Sequence, residues 1–323
     1  MWTMEKSKQG AKVVGITMGD PAGIGPEVVL KALESREIKE TKARFIIIGD
    51  RKVLKKNSQL LSINLPAQAE VLDLANINYH FRMAKVDRRL GKAVLEYIKE
   101  GVRLAQEKRI DALVTAPISK EAINLAGYRY AGHTQLLAEL TQTKDVRMLF
   151  SSPVLKVVLL TTHLPLKEVS KLITAQGVYK TIVLAAKFMH RYFAGEERIG
   201  VAGFNPHAGE EGLFGEEERE IKKGIFRAQQ EGVKVDGPFP ADTLFYQAYK
   251  GRYKLVVAIY HDQGLIPFKL LSFRKGVNIS LGLPIIRTSP CHGTAFDIAG
   301  QGVADPDSMI EAIKMALYLS QRC

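Results

Sequence analysis

The chain of 323 residues is 46% apolar and 25% charged, which is enough apolar material to bury a core and excludes a largely disordered protein. Its net charge is +12, but the basic residues are dispersed among acidic ones, so a basic surface that attracts anionic substrates is favoured over nucleic-acid binding. No apolar run approaches the roughly eighteen residues that cross a bilayer, so no membrane partner is expected.

Short β-branched runs alternate with segments of helical spacing along the chain. In chain order, the predicted elements are strand 13–18, helix 26–34, strand 44–48, helix 91–107, strand 112–115, helix 136–141, strand 156–160, helix 167–173, helix 178–192, strand 198–203, helix 216–230, strand 255–260 and helix 308–319. This alternation predicts mostly parallel sheets with helices on both faces. In such sheets ligands collect at the carboxyl ends of the strands.

The loop after the first predicted strand, residues 19–27, contains three glycines and leads into a helix. It lacks the spacing of a dinucleotide fingerprint and of a Walker phosphate loop. Two interpretations stay open. The backbone N–H groups could bind an anion at the start of the helix, or the loop could be a tight turn with Pro26 at the first helical position.

Three of the seven histidines, His163, His207 and His261, each directly follow a predicted strand in a loop of small or polar residues. Neutral imidazoles from separate strand ends can hold a divalent metal and leave positions open for substrate. Their wide spacing is equally compatible with three separate hydrogen-bonded loop histidines. Asp242 could orient a ligand histidine or complete such a site.

A second loop, residues 291–306, precedes the last predicted helix and is rich in small and hydroxyl residues. Small residues let the backbone approach a flat or phosphorylated ligand closely. His292, Gly293, Thr294 and Ala295 are therefore candidates for contact with a nucleotide, to which the imidazole could stack or bond. The alternative is a plain connection to the helix.

Several segments together carry a family resemblance. They are, in order, GDPAGIGPE (19–27), GHT (132–134), THLPL (162–166), NPHAGE (205–210), PADTLF (240–245), YHDQG (260–264), GLP (282–284) and RTS (287–289). With them the chain resembles the 4-hydroxythreonine-4-phosphate dehydrogenase family of vitamin B6 biosynthesis. More distantly, residues 23–27 and 292–306 look like elements of isocitrate and isopropylmalate dehydrogenases, in which the second segment binds the adenosine part of the cofactor.

The resemblance implies an α/β fold with the two-domain architecture of isocitrate and isopropylmalate dehydrogenases and an active site in the interdomain cleft. Residues 1–130 with 288–323 would form the cofactor-side α/β domain. Residues 131–287 would form the substrate, metal and dimerisation domain. The expected assembly is a homodimer with shared active sites.

The resemblance also assigns roles to individual residues. It implies metal ligands at His163, His207 and His261, with one divalent metal per site; the all-imidazole set favours zinc, and Mg, Mn or Co are alternatives. NAD or NADP would bind at residues 292–295 and Asp305. Independently of the resemblance, the negative charges of Asp297 and Asp305 would repel a 2′-phosphate if they lie near the ribose, which favours NAD. This chain has Cys291 where family members often have an acidic residue. The implied substrate-binding residues are His133, Thr134, Lys269, Asn278 and Arg287.

The implied reaction is oxidation and decarboxylation of 4-hydroxythreonine 4-phosphate to 3-amino-2-oxopropyl phosphate and CO2. The metal is expected to act as a Lewis acid. Lys269 and Asp242 are both candidates for the catalytic proton acceptor. The same chemistry on D-threonate or D-erythronate 4-phosphate, giving dihydroxyacetone phosphate, is the main alternative. A phosphate acyltransferase on a related fold is a remote one.

Cysteine usage bears on location. Cys291 and Cys323 are the only cysteines in the chain. Two such thiols form no disulfide framework, which fits a reducing compartment. A cytoplasmic enzyme is therefore expected.

Overall fold

The structure is a computed structural model that describes residues 10–130, 132–193 and 198–322. Its strands are β1 (Val13–Thr17), β2 (Arg44–Gly49), β3 (Ala69–Asp73), β4 (Ala112–Thr115), β5 (Arg147–Ser151), β6 (Lys156–Leu159), β7 (Ile199–Ala202), β8 (Val235–Phe239), β9 (Leu255–Ala258), β10 (Val277–Leu281) and β11 (Arg287–Pro290). Its α-helices are α1 (Gly25–Glu34), α2 (Arg36–Lys39), α3 (Arg51–Leu61), α4 (Arg88–Gln106), α5 (Lys120–Leu125), α6 (His133–Leu140), α7 (Leu166–Val169), α8 (Ala175–Tyr192), α9 (Glu217–Gln230), α10 (Ala241–Tyr249), α11 (His261–Ser272) and α12 (Asp307–Ser320). Short 3-10 turns occupy Ser170–Leu172 and Pro206–Gly212.

The chain divides into two compact units. Met1–Lys144 and Leu283–Cys323 form the first, and Asp145–Gly282 forms the second. Residues 132–144 and 283–287 therefore belong to the first unit, near the approximate domain boundaries that the resemblance implies. The physical reason is that α6 packs against α4, and β11 pairs in parallel with β4.

The strands of the first unit run in the order β3-β2-β1-β4-β11, and each neighbouring pair is parallel. β4 is buried along its whole length, as expected for a central strand that is covered on both faces. α4 packs on β1, β2 and β4, and α12 packs on β4 and β11. Because these strands are parallel, the loops that follow β1, β4 and β11 all lie at the carboxyl ends of the strands.

The strands of the second unit run in the order β10-β5-β6-β9-β7-β8. β5 pairs antiparallel with both β10 and β6, whereas β6, β9, β7 and β8 are mutually parallel. The segments that contain the three candidate metal ligands follow β6, β7 and β9. Because these strands are parallel neighbours, those segments share one edge.

Six strands and most helices lie where the sequence predicts them, but residues 261–264 do not. The sequence placed His261 in a loop, whereas it is the first residue of α11. A side chain at Gly264 would come within 2.8 Å of Leu159 and Val157, so the glycine lets α11 pack tightly on β6. Gly264 and Pro267, which predict a break, are here accommodated inside a helix. None of the helices in the described ranges is long and apolar enough to cross a bilayer.

Candidate active site

Arg287 is the central side chain of the first unit's candidate site. It is only 1% exposed, and its Nε and Nη2 donate hydrogen bonds to the Thr115 hydroxyl at 3.1 and 2.6 Å. Burial lowers the pKa of Arg287 to about 9, and the nearby Cys291 opposes that change. A buried guanidinium has lost its hydration, and a bound anion can compensate for that loss. Arg287 is therefore suited to bind an anionic ligand.

His133 and Lys120 add to this positive region. His133 begins α6, and its Nε2 is buried and has no hydrogen-bond partner among the described residues. The pKa of His133 is well below its usual value because of burial first, and then because of the charges on Arg287 and Lys120. The imidazole is therefore neutral and can offer Nε2 to a ligand. Thr134 follows it in the first turn of α6.

No pattern in the sequence indicated a functional role for Lys120. It is the first residue of α5, directly after the helix cap in which Ser119 accepts a hydrogen bond from the Ala122 N–H. A side chain at Gly132 would lie 3.4 Å from the Lys120 Cε, so the glycine leaves space for the lysine. Lys120 begins α5 and Gly132 directly precedes α6, and no spacing rule indicated that these two residues would lie close together.

The two glycine-containing loops of the first unit contact each other. The Ile24 N–H donates to the Thr294 carbonyl at 3.0 Å. A side chain at Gly23 would lie 3.0 Å from both the Thr294 Cβ and its carbonyl oxygen. Gly23 is therefore needed for close approach of the second loop, which favours a tight turn over an anion site for residues 19–27.

The predicted cofactor residues lie in and after this second loop. His292 has its Nδ1 3.1 Å from the Gly293 carbonyl oxygen, and Ala295 adopts a left-handed backbone with φ 41°. Asp305 is exposed and accepts a hydrogen bond from the Asp307 N–H at the start of α12. The structure thus places His292 to Ala295 together and Asp305 separately, before the helix.

Asp20 is a buried carboxyl group that the sequence did not single out. Its Oδ1 accepts from the Ala22 N–H, and its own N–H donates to the Pro117 carbonyl, each at 2.9 Å. Burial raises the pKa of Asp20 to about 6, against hydrogen bonds from the Ala22 and Ser119 backbone. Asp20 therefore links the loops after β1 and β4.

In the second unit, the structure brings two of the three predicted metal ligands together. The ring centroids of His163 and His261 are 5.7 Å apart. The Nδ1 of His261 lies 2.6 Å from the Asp262 carboxylate. A neutral His261 that donates this N–H to Asp262 keeps its Nε2 lone pair for a metal.

Asp262, rather than Asp242, is therefore the carboxylate that orients a candidate ligand. Asp242 is exposed in the first turn of α10, and its Oδ1 accepts a hydrogen bond from the Thr243 N–H at 2.8 Å. That contact is local to the first turn of the helix, whose N-cap is Pro240. The adjacency of His261 and Asp262 in the sequence was the signal that could have indicated the pair.

His207 lies in an unusual backbone segment. Residues 207–211 all have positive φ, between 41° and 78°, and four of the five are not glycine. Left-handed backbone costs such residues about 1–2 kcal/mol each, and strain of this kind concentrates at functional sites. The buried Glu218 accepts hydrogen bonds from the Phe204 and Asn205 N–H groups and so supports the turn that precedes His207.

The fit of these residues to a metal is partial. Nowhere in residues 10–130, 132–193 and 198–322 do three or more His, Cys, Asp or Glu side chains form a group that could hold a metal ion. The donor chemistry of His163 and His261 suits a divalent transition metal. The convergence of His207 with this pair remains a prediction.

The predicted substrate residues of the second unit lie on α11 and β10. Lys269 is half-buried on α11, and Asn278 is buried on β10. The Asn278 Oδ1 is buried and has no hydrogen-bond partner among the described residues. Because an unsatisfied buried acceptor is costly, this atom is suited to accept a hydrogen bond from a ligand.

Solved structures share the fold. The 4-hydroxythreonine-4-phosphate dehydrogenase from Klebsiella pneumoniae aligns with a TM-score of 0.87 and 40% identity, over 98% of this chain and 100% of that one. Isocitrate dehydrogenase from Methylococcus capsulatus aligns with a TM-score of 0.50 and 16% identity, over 95% and 85% of the two chains. The predicted α/β fold class is confirmed; the second likeness concerns the fold alone.

Sequence relatives give the family. A 4-hydroxythreonine-4-phosphate dehydrogenase of Desulforapulum autotrophicum is 44% identical over 94% of each chain. A D-threonate 4-phosphate dehydrogenase of Cupriavidus necator is 42% identical over 96% of this chain and 98% of its own. The chain is accordingly an oxidoreductase, as predicted. The profile of the pyridoxal phosphate biosynthetic protein PdxA matches residues 41–316, and the chain belongs to this family.

Proposed function

We propose that the chain oxidises and decarboxylates 4-hydroxythreonine 4-phosphate with NAD or NADP and a divalent metal, giving 3-amino-2-oxopropyl phosphate and CO2. The observation that carries the proposal is the buried Arg287 beside a neutral His133, with Lys120 close enough to act on the same imidazole. Such a cluster is suited to an anionic substrate. D-threonate 4-phosphate is the alternative, because relatives named for that substrate are equally similar to this chain, at 44% and 42% identity.

In this proposal each substrate residue has a defined task. Arg287 binds an anionic group through its planar guanidinium. His133 and Thr134 contact the same part of the substrate, with the imidazole offering Nε2. Asn278 accepts a hydrogen bond from a substrate hydroxyl or ammonium group through its open Oδ1.

Lys269 is our preferred proton acceptor. Asp242 remains the other candidate, but it is exposed, and its Oδ1 already accepts a hydrogen bond from the Thr243 N–H. A half-buried lysine is more readily shielded from solvent than an exposed carboxylate is, and a base must be close to the proton that it removes.

For the metal, we propose His163, His207 and His261 as ligands and zinc as the first candidate. A metal bound there supplies Lewis-acid stabilisation of negative charge on a substrate oxygen. Asp262 keeps the ring of His261 in one orientation. The two neighbouring imidazoles and the shared strand edge of the three segments support this assignment.

For the nicotinamide cofactor, we propose residues 292–295 and Asp305. The close contact between Gly23 and Thr294 gives the loop a fixed support. Asp297 and Asp305 are both exposed carboxylates, which favours NAD over NADP if they lie near the ribose.

We also propose a homodimer with shared active sites, in the cytoplasm. Support for a second copy comes from the end of α11, where Ile266 and Leu270 on the helix and Phe273 at its C-cap are exposed. Their spacing places them on one face of the helix. A contiguous exposed apolar face of this kind indicates a protein interface.

A direct assay tests the proposed function. The purified protein is stripped with a chelator and resupplied with Zn, Mn, Co or Mg. Reduction of NAD and of NADP is then followed with each of the two 4-phosphates. We expect metal-dependent cofactor reduction with release of CO2, and a higher kcat/KM for 4-hydroxythreonine 4-phosphate. Cofactor reduction that is faster with D-threonate 4-phosphate would move the assignment to the alternative, and no reduction with either would overturn it.

A further inference from the structure

α1 contains a buried ion pair that none of the roles above uses. Glu27, in its first turn, is 1% exposed, and its Oε1 accepts a hydrogen bond from the Lys31 Nζ at 2.8 Å. The other carboxylate oxygen is buried and has no hydrogen-bond partner among the described residues. Lys31 keeps 19% of its side chain exposed. Such a pair stabilises a fold little by itself, because both groups lose their hydration.

Both members of the pair also bind the backbone of the segment that leads to Asp305. The Lys31 Nζ donates to the Gly302 and Ala304 carbonyls, each at 2.8 Å. The Glu27 Oε1 accepts from the Ala304 N–H, again at 2.8 Å. Together with the bond to Glu27, the lysine uses all three of its ammonium protons. The N–H and the carbonyl of Ala304 are thus both bound by side chains of α1.

The segment held in this way has no regular structure of its own. Residues 303–306 are neither helix nor strand, so their backbone groups are not fixed by a ladder. Asp305 directly follows the clamped Ala304. Closer to the start of the loop, the bond from the Ile24 N–H to the Thr294 carbonyl gives a second attachment to the same helix start.

We propose that Glu27 and Lys31 are positioning residues for the nicotinamide cofactor, because their ion pair fixes residues 302–304 and thereby Asp305 in the conformation that binds it. The proposal rests on the cofactor role proposed above for residues 292–295 and Asp305. An apolar pair of similar volume would hold the helix against the loop about as well, but it could not bond to the Ala304 backbone. The charges therefore set the geometry of the loop.

Two substitutions and one matched control test the proposal. Lys31→Met removes all three ammonium bonds, and Glu27→Gln keeps an acceptor for the Ala304 N–H. Arg36→Met is the control, since it removes the cation of an i,i+4 pair with Glu40 that is 88% and 62% exposed. The measurements are the Kd for NAD and for NADP by calorimetry, the kinetic constants, and amide hydrogen exchange of residues 302–305.

Lys31→Met should raise the Kd of the preferred cofactor about ten- to a hundredfold, because the cofactor must then order the loop itself. Hydrogen exchange of residues 302–305 should accelerate, while the KM for the phosphorylated substrate and the kcat at saturating cofactor stay within about twofold. Glu27→Gln should have a smaller effect in the same direction, and Arg36→Met none.

Unchanged cofactor affinity in both Lys31→Met and Glu27→Gln would overturn the positioning role. Equal losses of substrate and cofactor affinity would also overturn it, because they would indicate general damage. If Lys31→Met does not fold, the Glu27→Gln variant decides between these outcomes. A parent protein that binds neither NAD nor NADP would instead remove the cofactor assignment on which the proposal rests.

Discussion

The two groups of candidate site residues differ in how firmly the chain itself holds them. In the first unit, Arg287 is buried and bonded through two nitrogens to Thr115, beside a neutral His133. In the second unit, His163 and His207 are exposed, and His261 is half-buried at the start of a helix. The candidate anion-binding side chains of the first unit are therefore fixed by buried contacts, whereas in the second unit only His163 and His261 lie close together.

Solvation explains this difference. A cation is expensive to bury, so a buried arginine requires fixed hydrogen-bond partners and a site that suits an anion. A neutral imidazole is inexpensive to leave in water, and metal binding itself can order such ligands. Each region should consequently respond differently to the loss of one side chain.

The largest effect is expected at the proposed metal site of the second unit. His207→Ala should lose bound divalent metal and lower turnover by at least about a hundredfold, because several kcal/mol of Lewis-acid stabilisation is lost. The protein should remain folded, since His207 is exposed. Elemental analysis and circular dichroism provide the measurement, and His190→Ala, at an exposed position on α8, is the control.

Asp262→Asn tests the same metal site with a smaller expected loss of metal affinity. It should weaken metal affinity by about ten- to a hundredfold, because the orientation of His261 is lost while the ligand remains. Full metal occupancy in His207→Ala would contradict the three-histidine assignment. The pair His163 and His261 would then need another third ligand.

The next largest effect is expected at Arg287. Each charge-assisted hydrogen bond contributes about 1.5–3 kcal/mol, so Arg287→Ala should lower kcat/KM by about ten- to several-hundredfold. Metal content and cofactor affinity should be unchanged. Arg287→Lys should restore only part of the activity, because a point charge does not reproduce a planar fork.

A substrate that lacks its phosphate locates the Arg287 contact. If Arg287 binds the phosphate, the alanine variant should discriminate much less than the parent between the full and the truncated substrate. An equal preference in both enzymes would place Arg287 at the carboxylate. Unchanged kinetics on the full substrate would exclude Arg287 from the site and remove the contrast between the two regions.

The sequence predicted much of the fold because apolar, β-branched runs form the central strands. β1, β4 and β9 lie almost entirely within predicted strands. β3, β5, β8, β10 and β11 were missed. The sequences of β10 and β11, VNISL and RTSP, contain buried polar residues, among which Arg287 and Thr288 form hydrogen bonds. A pattern of hydrophobicity does not detect such strands.

The candidate site was predictable only where a motif carries it. The three candidate ligand histidines and Arg287 lie in segments that resemble the family, so they could be named. Contacts that depend on tertiary packing were not predictable; Lys120 near His133 and Lys31 on the Ala304 carbonyl are examples. No spacing rule along the chain relates these residues.

The smallest predicted effect concerns Asp20 and tests whether burial in the first unit costs stability. The folded-state pKa of Asp20 is raised from 3.8 to about 6. The folded protein therefore binds the proton more tightly than the unfolded chain. The contribution of the protonated group to stability is fully present below about pH 4, and it is lost as the pH rises through about 6.

Asp20→Asn should accordingly stabilise the protein above pH 6, since the neutral amide can still accept the Ala22 and Ser119 N–H bonds. The expected gain at pH 8 is about 1–3 kcal/mol in the free energy of unfolding, and it should shrink towards zero near pH 4. Urea unfolding at pH 8, 6 and 4 measures this, with the exposed Glu40→Gln as control. A variant that is less stable than the parent at pH 8 would mean that the ionised carboxylate is favourable in its loop. In that case burial of a charged group in the first unit would carry no desolvation cost. The contrast with the exposed imidazoles of the second unit would then not rest on desolvation.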